Sequence, residues 1–312
     1  MISLLLGIFT LIELNCENLF DCQHDTLKHD TEWLSDGARR WNSYRYWNKI
    51  NSLAKVIISC GDSEKEWNMP DIAVLCEVEN DSLLRDLTKR SLLRTARYEY
   101  VITQSPDERG MDVAILYSPL TFKPLNFHSI RIKNAKNERP TRDVLYLSGC
   151  ISTGDTLHIF ALHAPSRVGG VNKTDAYRLK VAQRIMQSTD SIKNISQDPK
   201  IIIAGDFNDL NNGISLQCLA DNNFIDVSKA VKGKAKGKAT YKYKGVWQSL
   251  DHIFISQNMQ KWLLECRIND ADFLLEEDKK YGGWQPKRTY NGYRYNKGYS
   301  DHLPLVVQFL IP

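Results

Sequence analysis

The residues of this chain best suited to chemistry are carboxylates, imidazoles and amides that appear where apolar runs stop. The run Ile201 to Ala204 passes directly into Gly205-Asp206-Phe207-Asn208-Asp209. Gly, Asp and Asn are also the commonest turn formers, so the segment reads either as an Asx-turn leaving a buried strand or as a carboxylate and an amide facing a phosphate or its attacking water. Asp301-His302 precedes Leu-Pro-Leu-Val-Val. That pair is either a satisfied structural histidine or an oxygen ligand beside a proton acceptor. Glu77 ends the run DIAVLCE and is either a cap for the helix expected after Asn80 or a hard oxygen ligand for Mg²⁺. Asn15 after Leu14, His163 after Leu162, and Asp251-His252 before Ile253 complete the set.

The elements that must position these groups are short β-rich runs. Nine are expected: Ile8 to Leu14, Ile72 to Cys76, Tyr98 to Thr103, Val113 to Tyr117, Val144 to Cys150, Leu157 to Leu162, Ile201 to Ala204, Ile253 to Ile255 and Leu303 to Leu310. Helical spacing links Trp47, Ile50, Ala54, Ile57 and Ile58, and again Leu179, Ala182, Ile185 and Met186 behind a Thr174 N-cap candidate. A third helix follows Asn80, with Leu83, Leu84 and Leu87. Strand ends that collect at one rim would bring the polar groups into one cleft.

Composition sets the frame. A chain of 312 residues with 42% hydrophobic and 25% charged side chains is ordinary globular material, which excludes a disordered chain and allows a large core. Seven cysteines without a C-x-x-C pair argue against a disulfide framework or a zinc finger and for a reducing, cytoplasmic compartment. The apolar N-terminus ends at Glu13, too short for a transmembrane segment and without a basic n-region. Met1 to Gly7 could be an export signal only as the remnant of a longer one.

Two segments bear on substrate. Lys229 to Lys244 holds seven lysines punctuated by Gly233 and Gly237 and reads as a mobile basic loop, either a solvated face or a funnel for a polyanion. Tyr281 to Tyr299 is dense in aromatic and basic residues that could stack on bases. Trp41, Tyr44, Tyr46 and Trp47 suit helix packing as well as a binding platform. The net charge of +4 is too small to establish nucleic-acid binding.

Taken together and in order, the motifs resemble the endonuclease/exonuclease/phosphatase superfamily, which includes deoxyribonuclease I, abasic-site endonucleases, neutral sphingomyelinases and inositol polyphosphate 5-phosphatases. The likeness spans almost the whole chain. It is carried by Leu14-Asn15 through Phe20, Pro70 through Glu77, Met111-Asp112-Val113-Ala114-Ile115, Leu162-His163-Ala164-Pro165-Ser166, Gly205 through Asn208, Leu250 through Ile253, and Ser300 through Pro304.

The resemblance implies a four-layered α/β/β/α sandwich forming a single domain over residues 1–312, with one active site at the sheet rim. It implies Glu77 as the main ligand of a divalent metal, Mg²⁺ with Mn²⁺ as substitute, supported by Asp301 and Asn15. His302 would act as base or electrostatic partner at the attacking water, oriented by Asp251. Asp206 would align or deprotonate that water, and Asn208 and His163 would bind non-bridging phosphate oxygens. Arg142, or less securely Arg139, occupies the place of a phosphate-binding arginine in deoxyribonuclease I. His163 resembles the deoxyribonuclease and sphingomyelinase type, whereas abasic-site endonucleases usually carry tyrosine there. His252 replaces an arginine frequent in the family, and the residues around Asp251 depart from the inositol 5-phosphatase signature. The expected activity is hydrolysis of a phosphodiester, with a nuclease first, a phospholipid or small-metabolite phosphoesterase second, and a non-catalytic binding protein third. The expected partner is a phosphate-ester substrate, nucleic acid foremost.

Overall fold

The computed structural model describes residues 7–61, 67–133, 140–167 and 170–312. Arg139 and residues 1–6 of the N-terminal segment lie outside them. Two six-stranded sheets form the centre. The first joins Leu263–Ile268, Leu305–Ile311, β1 (Gly7–Leu19), β2 (Ile72–Val78), β4 (Asp112–Tyr117) and β3 (Glu99–Ile102), in that spatial order. The second joins β5 (Phe122–Ile130), β6 (Val144–Ile151), β7 (Thr156–His163), β8 (Lys200–Asp206), Asp251–Ser256 and β9 (Phe224–Asp226).

Strand alternation assigns each face. In β7 and β8, Ile159, Ala161, Ile202 and Ala204 join the core shared with the first sheet, while Phe160, Leu162, Ile201 and Ile203 join a separate outer cluster. Helices α3 (Val171–Lys193) and α4 (Ile214–Asp221) close that outer cluster through Val181, Ala182, Ile185, Leu216 and Leu219. On the other side, α1 (Ser43–Ser59) lays Ile50, Leu53, Ala54 and Ile57 on the first sheet, beside α2 (Asp81–Lys89) with Leu83, Leu84 and Leu87. Helix, sheet, sheet and helix therefore stack in the expected four layers.

All nine expected strands are present. Among those the sequence pattern did not show, β5 carries Pro124 at a register shift and is exposed over most of its length, as a proline-bearing edge strand must be. Helix α3 begins earlier than expected: Gly170 holds the cap position, and Thr174 lies in the first turn with its hydroxyl donating to the Gly170 carbonyl at 3.1 Å. All seven cysteines are free thiols. Among the described residues, no helix is long and apolar enough to cross a membrane.

Candidate active site at the sheet rim

Strand direction gathers the site. β1 and β2 run parallel, as do β7 and β8, so the pairs end together, and their antiparallel neighbours Asp251–Ser256 and Leu305–Ile311 begin at the same rim. His163, Asp206 and Asp251 lie side by side in register across three strands. Ala161, Ala204 and Ile253, two residues inward on each strand, belong to the core between the sheets. The three polar side chains therefore face the first sheet, and all are buried.

From the first sheet, Asn15 meets this row, its side-chain amide donating to Asp206 Oδ2 at 3.0 Å. Glu77 would follow Cys76 onto the opposite face if β2 stayed regular. Instead the register slips between Cys76 and Val78, and Glu77 takes a left-handed φ of 61°. A non-glycine residue held there costs about 1–3 kcal/mol, and the bulge turns the carboxylate into the cleft. The Asn18 backbone N–H donates to Glu77 Oε2 at 2.7 Å. Asn80, whose side chain accepts from Leu83 N–H, supplies the cap of α2, so Glu77 is free of that task.

The turn after β8 is an Asx-turn that also faces the cleft: Asn208 N–H donates to Asp206 Oδ1 at 2.8 Å, and the Asn208 amide reaches Asp206 Oδ2 and the Ala164 carbonyl. The Asx-turn reading of this segment therefore holds, and the turn also places both side chains in the cleft. Gly205 is required, since a Cβ there would lie 1.9 Å from the Leu162 carbonyl oxygen at a φ of +152°. His302 Nδ1 bonds to Asp251 Oδ2 at 2.8 Å. The Asp301 carboxylate lies 3.6 Å from the Arg288 guanidinium.

These groups share one cleft of about 1110 Å³, lined by Asn15, Glu77, Arg142, His163, Asp206, Asn208, Asp301 and His302, with Asp251 behind His302. The structure thus brings these nine residues to one place, while His252 lies on the other face of its strand and Arg139 lies outside the described residues. The electrostatics of the cleft separate the nine. Burial alone would lower His302, but Asp251, with Asp301 and Asp206 nearby, raises it well above the ordinary histidine value. Burial, reinforced by Arg142 and Arg109, drives His163 well below that value and keeps it neutral. Burial and the neighbouring Asp251 push Asp206 up to about 7.

Asp206, Asp251 and His302 each offer a ligand atom within 4.8 Å of the others, a buried group able to hold a metal ion. The adjoining oxygen donors also suit a hard cation. Among the described residues, Glu77 Oε2 is held by the Asn18 N–H while Oε1 meets only His163 Nε2 at 3.8 Å, and Asn15 Oδ1 accepts a single bond from Glu17 N–H.

Several participants escaped the sequence reading. Glu13 is fully buried under the site, its acid form favoured by burial and then by Asp251 and Asp206. Its place two residues before Asn15 on one strand was the available signal. Arg109, in the turn before β4, and Arg167, just after the His163 segment, line the cleft, as do Tyr177, Tyr241 and Tyr243. The Tyr241 ring lies 4.8 Å from that of His302.

The two substrate segments lie mostly outside the cleft. Lys229 to Lys244 wraps around Asp270, whose Oδ2 accepts from the N–H groups of Ala235, Lys236 and Gly237 at 2.6–2.8 Å. Lys236 pairs with Asp272, Lys242 with buried Asp278, and Lys234 with Glu265 at 3.9 Å. Of this segment only Tyr241 and Tyr243 line the cleft, and none of Tyr281 to Tyr299 does. Tyr290 packs on Trp33 and Trp41 instead, and the Trp41 indole donates to the Phe20 carbonyl. Tyr46 likewise packs inward and donates to Asp86.

A mixed α/β fold with two facing six-stranded sheets and a polar rim cleft is the architecture of deoxyribonuclease I-like phosphoesterases. The family model described as "Endonuclease/Exonuclease/phosphatase family" matches residues 10–310, and the chain belongs to that family of phosphoesterases. Among solved structures it is similar to an endonuclease/exonuclease/phosphatase family protein from Bacteroides thetaiotaomicron, at 16% identity over 98% of this chain and 96% of that one, with a TM-score of 0.67. It is also similar to a mannosyl-6-phosphatase of Bacteroides thetaiotaomicron VPI-5482 (16% identity, 97% and 99% covered, TM-score 0.63). Truncated TDP2 of Caenorhabditis elegans aligns at 15% identity over 97% of each chain, with a TM-score of 0.61. No curated protein matches the sequence significantly.

Proposed function

We propose that the protein is a Mg²⁺-dependent phosphodiesterase, with Mn²⁺ as a substitute, that hydrolyses its substrate by in-line attack of water, and that a nucleic-acid strand is its first candidate substrate. The observation that carries this reading is the in-register row His163, Asp206 and Asp251 meeting His302, Asn15 and Glu77 from the facing sheet inside one cleft.

In this reading Asp206 orients the attacking water and takes its proton, since its carboxyl titrates at about 7 where His302 remains charged. The His302 imidazolium, fixed by Asp251, faces the charge that builds on the phosphoryl oxygens. Neutral His163 and the Asn208 amide donate to non-bridging oxygens, and Arg142 holds a substrate phosphate. Glu77, Asp301 and Asn15 would hold the metal, which supplies neutralisation of phosphoryl charge and an anchor for the substrate. The cleft continues past these groups to Thr174, Tyr177 and Tyr243, giving room for both ester arms of a diester, and its tyrosines offer faces for bases.

Turnover of bis-p-nitrophenyl phosphate, p-nitrophenyl phosphate, plasmid DNA, RNA, sphingomyelin and mannose 6-phosphate, with Mg²⁺ or Mn²⁺ and with EDTA, tests the reading. Diesters should be hydrolysed in preference to monoesters, and EDTA should abolish the activity. A monoester preference, or turnover that survives EDTA, would overturn it.

A further inference from the structure

Lysine is among the side chains least often buried, because its charge and its flexible stem both resist burial, yet Lys49 of α1 is only 1% exposed. It shares the inward face of the helix with Tyr46, Ile50 and Leu53. Its ammonium donates to the Thr289 hydroxyl and to the Tyr299 carbonyl, each at 2.6 Å, and lies 3.5 Å from Glu17 Oε2. An ammonium has three donors, and here three acceptors surround it. They belong to two segments far apart in sequence, the end of β1 and the stretch from Thr289 to Tyr299.

Each segment carries groups assigned to the metal. Glu17 and Asn18 end β1 in successive left-handed conformations, at φ 52° and 51°, which non-glycine residues hold only under restraint from their surroundings. Part of that restraint is the Glu17 carboxylate, which accepts from Thr289 N–H at 2.6 Å. The turn so fixed presents the Asn18 N–H to Glu77 Oε2 and the Glu17 N–H to Asn15 Oδ1. The other segment is a hairpin, Tyr290–Asn291 against Arg294–Tyr295, whose legs are joined below by Tyr299 N–H donating to the Lys287 carbonyl and Asn296 N–H to the Thr289 carbonyl. A Cβ at Gly298 would lie 2.1 Å from the Lys287 carbonyl oxygen, so the legs are in close contact. Lys49 grips one leg at Thr289 and the other at Tyr299. Directly beside these contacts stand Arg288, whose guanidinium lies 3.6 Å from Asp301 Oδ2, and Ser300, whose hydroxyl donates to the Asn15 carbonyl at 2.6 Å.

Resting on the hydrolytic reading above, we infer that Lys49 is a positioning residue for the metal: by clasping the hairpin to the end of β1, it sets Asn15 and Glu77 on one side against Asp301 on the other. The segment dense in aromatic and basic residues, which stays out of the cleft, thereby serves the site from behind. Charge alone predicts the opposite effect, because a cation close to Glu17 and Asp301 repels a second cation, and its removal would tighten metal binding. Weaker binding on removal of Lys49 therefore separates positioning from electrostatics.

Mn²⁺ binding to the full chain, stripped with EDTA and titrated by calorimetry and by electron paramagnetic resonance, tests this without turnover. Lys49→Met, which keeps the length of the side chain and loses its donors, should weaken binding about tenfold, the scale for residues that hold metal ligands in place. Thr289→Val removes only the hydroxyl acceptor and keeps the N–H for Glu17, so it should weaken binding about threefold, as the loss of one hydrogen bond would. It carries the test if Lys49→Met does not fold. His252→Gln breaks a buried pair in the outer layer and should leave Mn²⁺ affinity within about twofold, which separates positioning from a general loss of stability. In turnover of bis-p-nitrophenyl phosphate, Lys49→Met should require about tenfold more Mg²⁺, while kcat at saturating Mg²⁺ returns close to the wild-type value. Unchanged or tighter Mn²⁺ binding in the Lys49 and Thr289 variants, an equal loss in His252→Gln, or a fall in kcat that saturating Mg²⁺ does not restore would overturn the inference. A wild type that binds no Mn²⁺ would overturn it together with the metal-dependent reading. Weakened Mn²⁺ binding in the variants, beside a wild type that hydrolyses no phosphoester, would overturn the hydrolytic reading and leave the role of Lys49 standing.

Discussion

Two histidine–aspartate pairs meet at the strand Asp251–Ser256 and have opposite fates. His302 joins Asp251 at 2.8 Å, and His252, the next residue along the strand, joins Asp226 at 3.0 Å. Both histidines are raised above their ordinary value by their carboxylate partners, against the effect of burial. Yet His302 lines the cleft, while His252 packs against Phe207 and Phe254 in the outer layer, with its Nε2 directed at the Asp209 carbonyl. Composition and charge are nearly the same in the two pairs. Strand parity decides, because Asp251 shares a face with Ile253 between the sheets and His252 shares the other with Phe254. A carboxylate–imidazole pair is therefore weak evidence for catalysis until its face is known.

The strongest way to break this comparison is to remove each histidine. His302→Ala should lower kcat/KM by roughly 10²–10⁴-fold, the scale of acid–base groups. Adding Asp251→Asn should cost little more, because the two act as one unit. Losses that simply multiply in the double mutant would dissolve the pair. His252→Gln should leave kcat/KM within about threefold while removing ~3 kcal/mol of stability, as expected when one partner of a buried pair is lost. The sign with pH follows from the raised histidine: the pair's stabilisation is complete below the unfolded histidine value and fades as pH rises through the folded one. Chemical denaturation of wild type and variant should thus differ most at mildly acidic pH and converge as the medium becomes alkaline.

Next in size is Glu77→Gln, which keeps shape and removes charge. Apparent Mg²⁺ affinity should fall at least ~10-fold, read from the Mg²⁺ dependence of turnover. An unchanged dependence would move the metal to the Asp206, Asp251 and His302 group alone. The third effect is a pH limb. With Asp206 at about 7, the proton-accepting form is lost as pH falls through that value, so kcat/KM should decline on the acid side. The limb should be absent from the residual activity of Asp206→Asn. Persistence of the same limb in that variant would assign it to another group.

How much of this was legible in the sequence follows from which physical signals are local. Runs such as IIIA and DIAVLCE mark strands because a buried central strand needs no polar face, and the polar residue at each end follows directly from the run. Parity is legible too: alternation from Ile253 already separates Asp251 from His252. The bulge that turns Glu77 inward is not, since an alternating count from Cys76 puts it on the wrong face and only the slip against β4 corrects it. Strand β5 escaped because its exposed edge and Pro124 remove the apolar pattern that reveals strands. The lysine-rich segment stayed open between a solvated face and a polyanion funnel for a similar reason. Its charge is visible in one stretch of sequence, but its partners Glu265, Asp270, Asp272 and Asp278 are supplied by another.

That segment gives the smallest expected effect. Replacing Lys234, Lys236 and Lys238 together with Gln would remove three charges, and lysines that held substrate phosphates would each contribute about 0.7–0.9 to the log–log salt slope of nucleic-acid binding. Lys234 and Lys236 instead face Glu265 and Asp272, and Lys236 also covers the Trp284 ring at 3.8 Å. Among the described residues no lysine lines the cleft, whose described cations are Arg109, Arg142 and Arg167 together with His302. The triple variant should therefore change the salt slope for single-stranded DNA by less than ~1 unit, while Arg109→Gln alone should change it by about as much as one phosphate contact. Exposed ion pairs contribute little to stability, so its unfolding midpoint should also stay close to that of the wild type. A slope reduced by two units or more in the lysine variant would restore the loop as a polyanion funnel. It would also make the arginine wall one part of a larger binding surface.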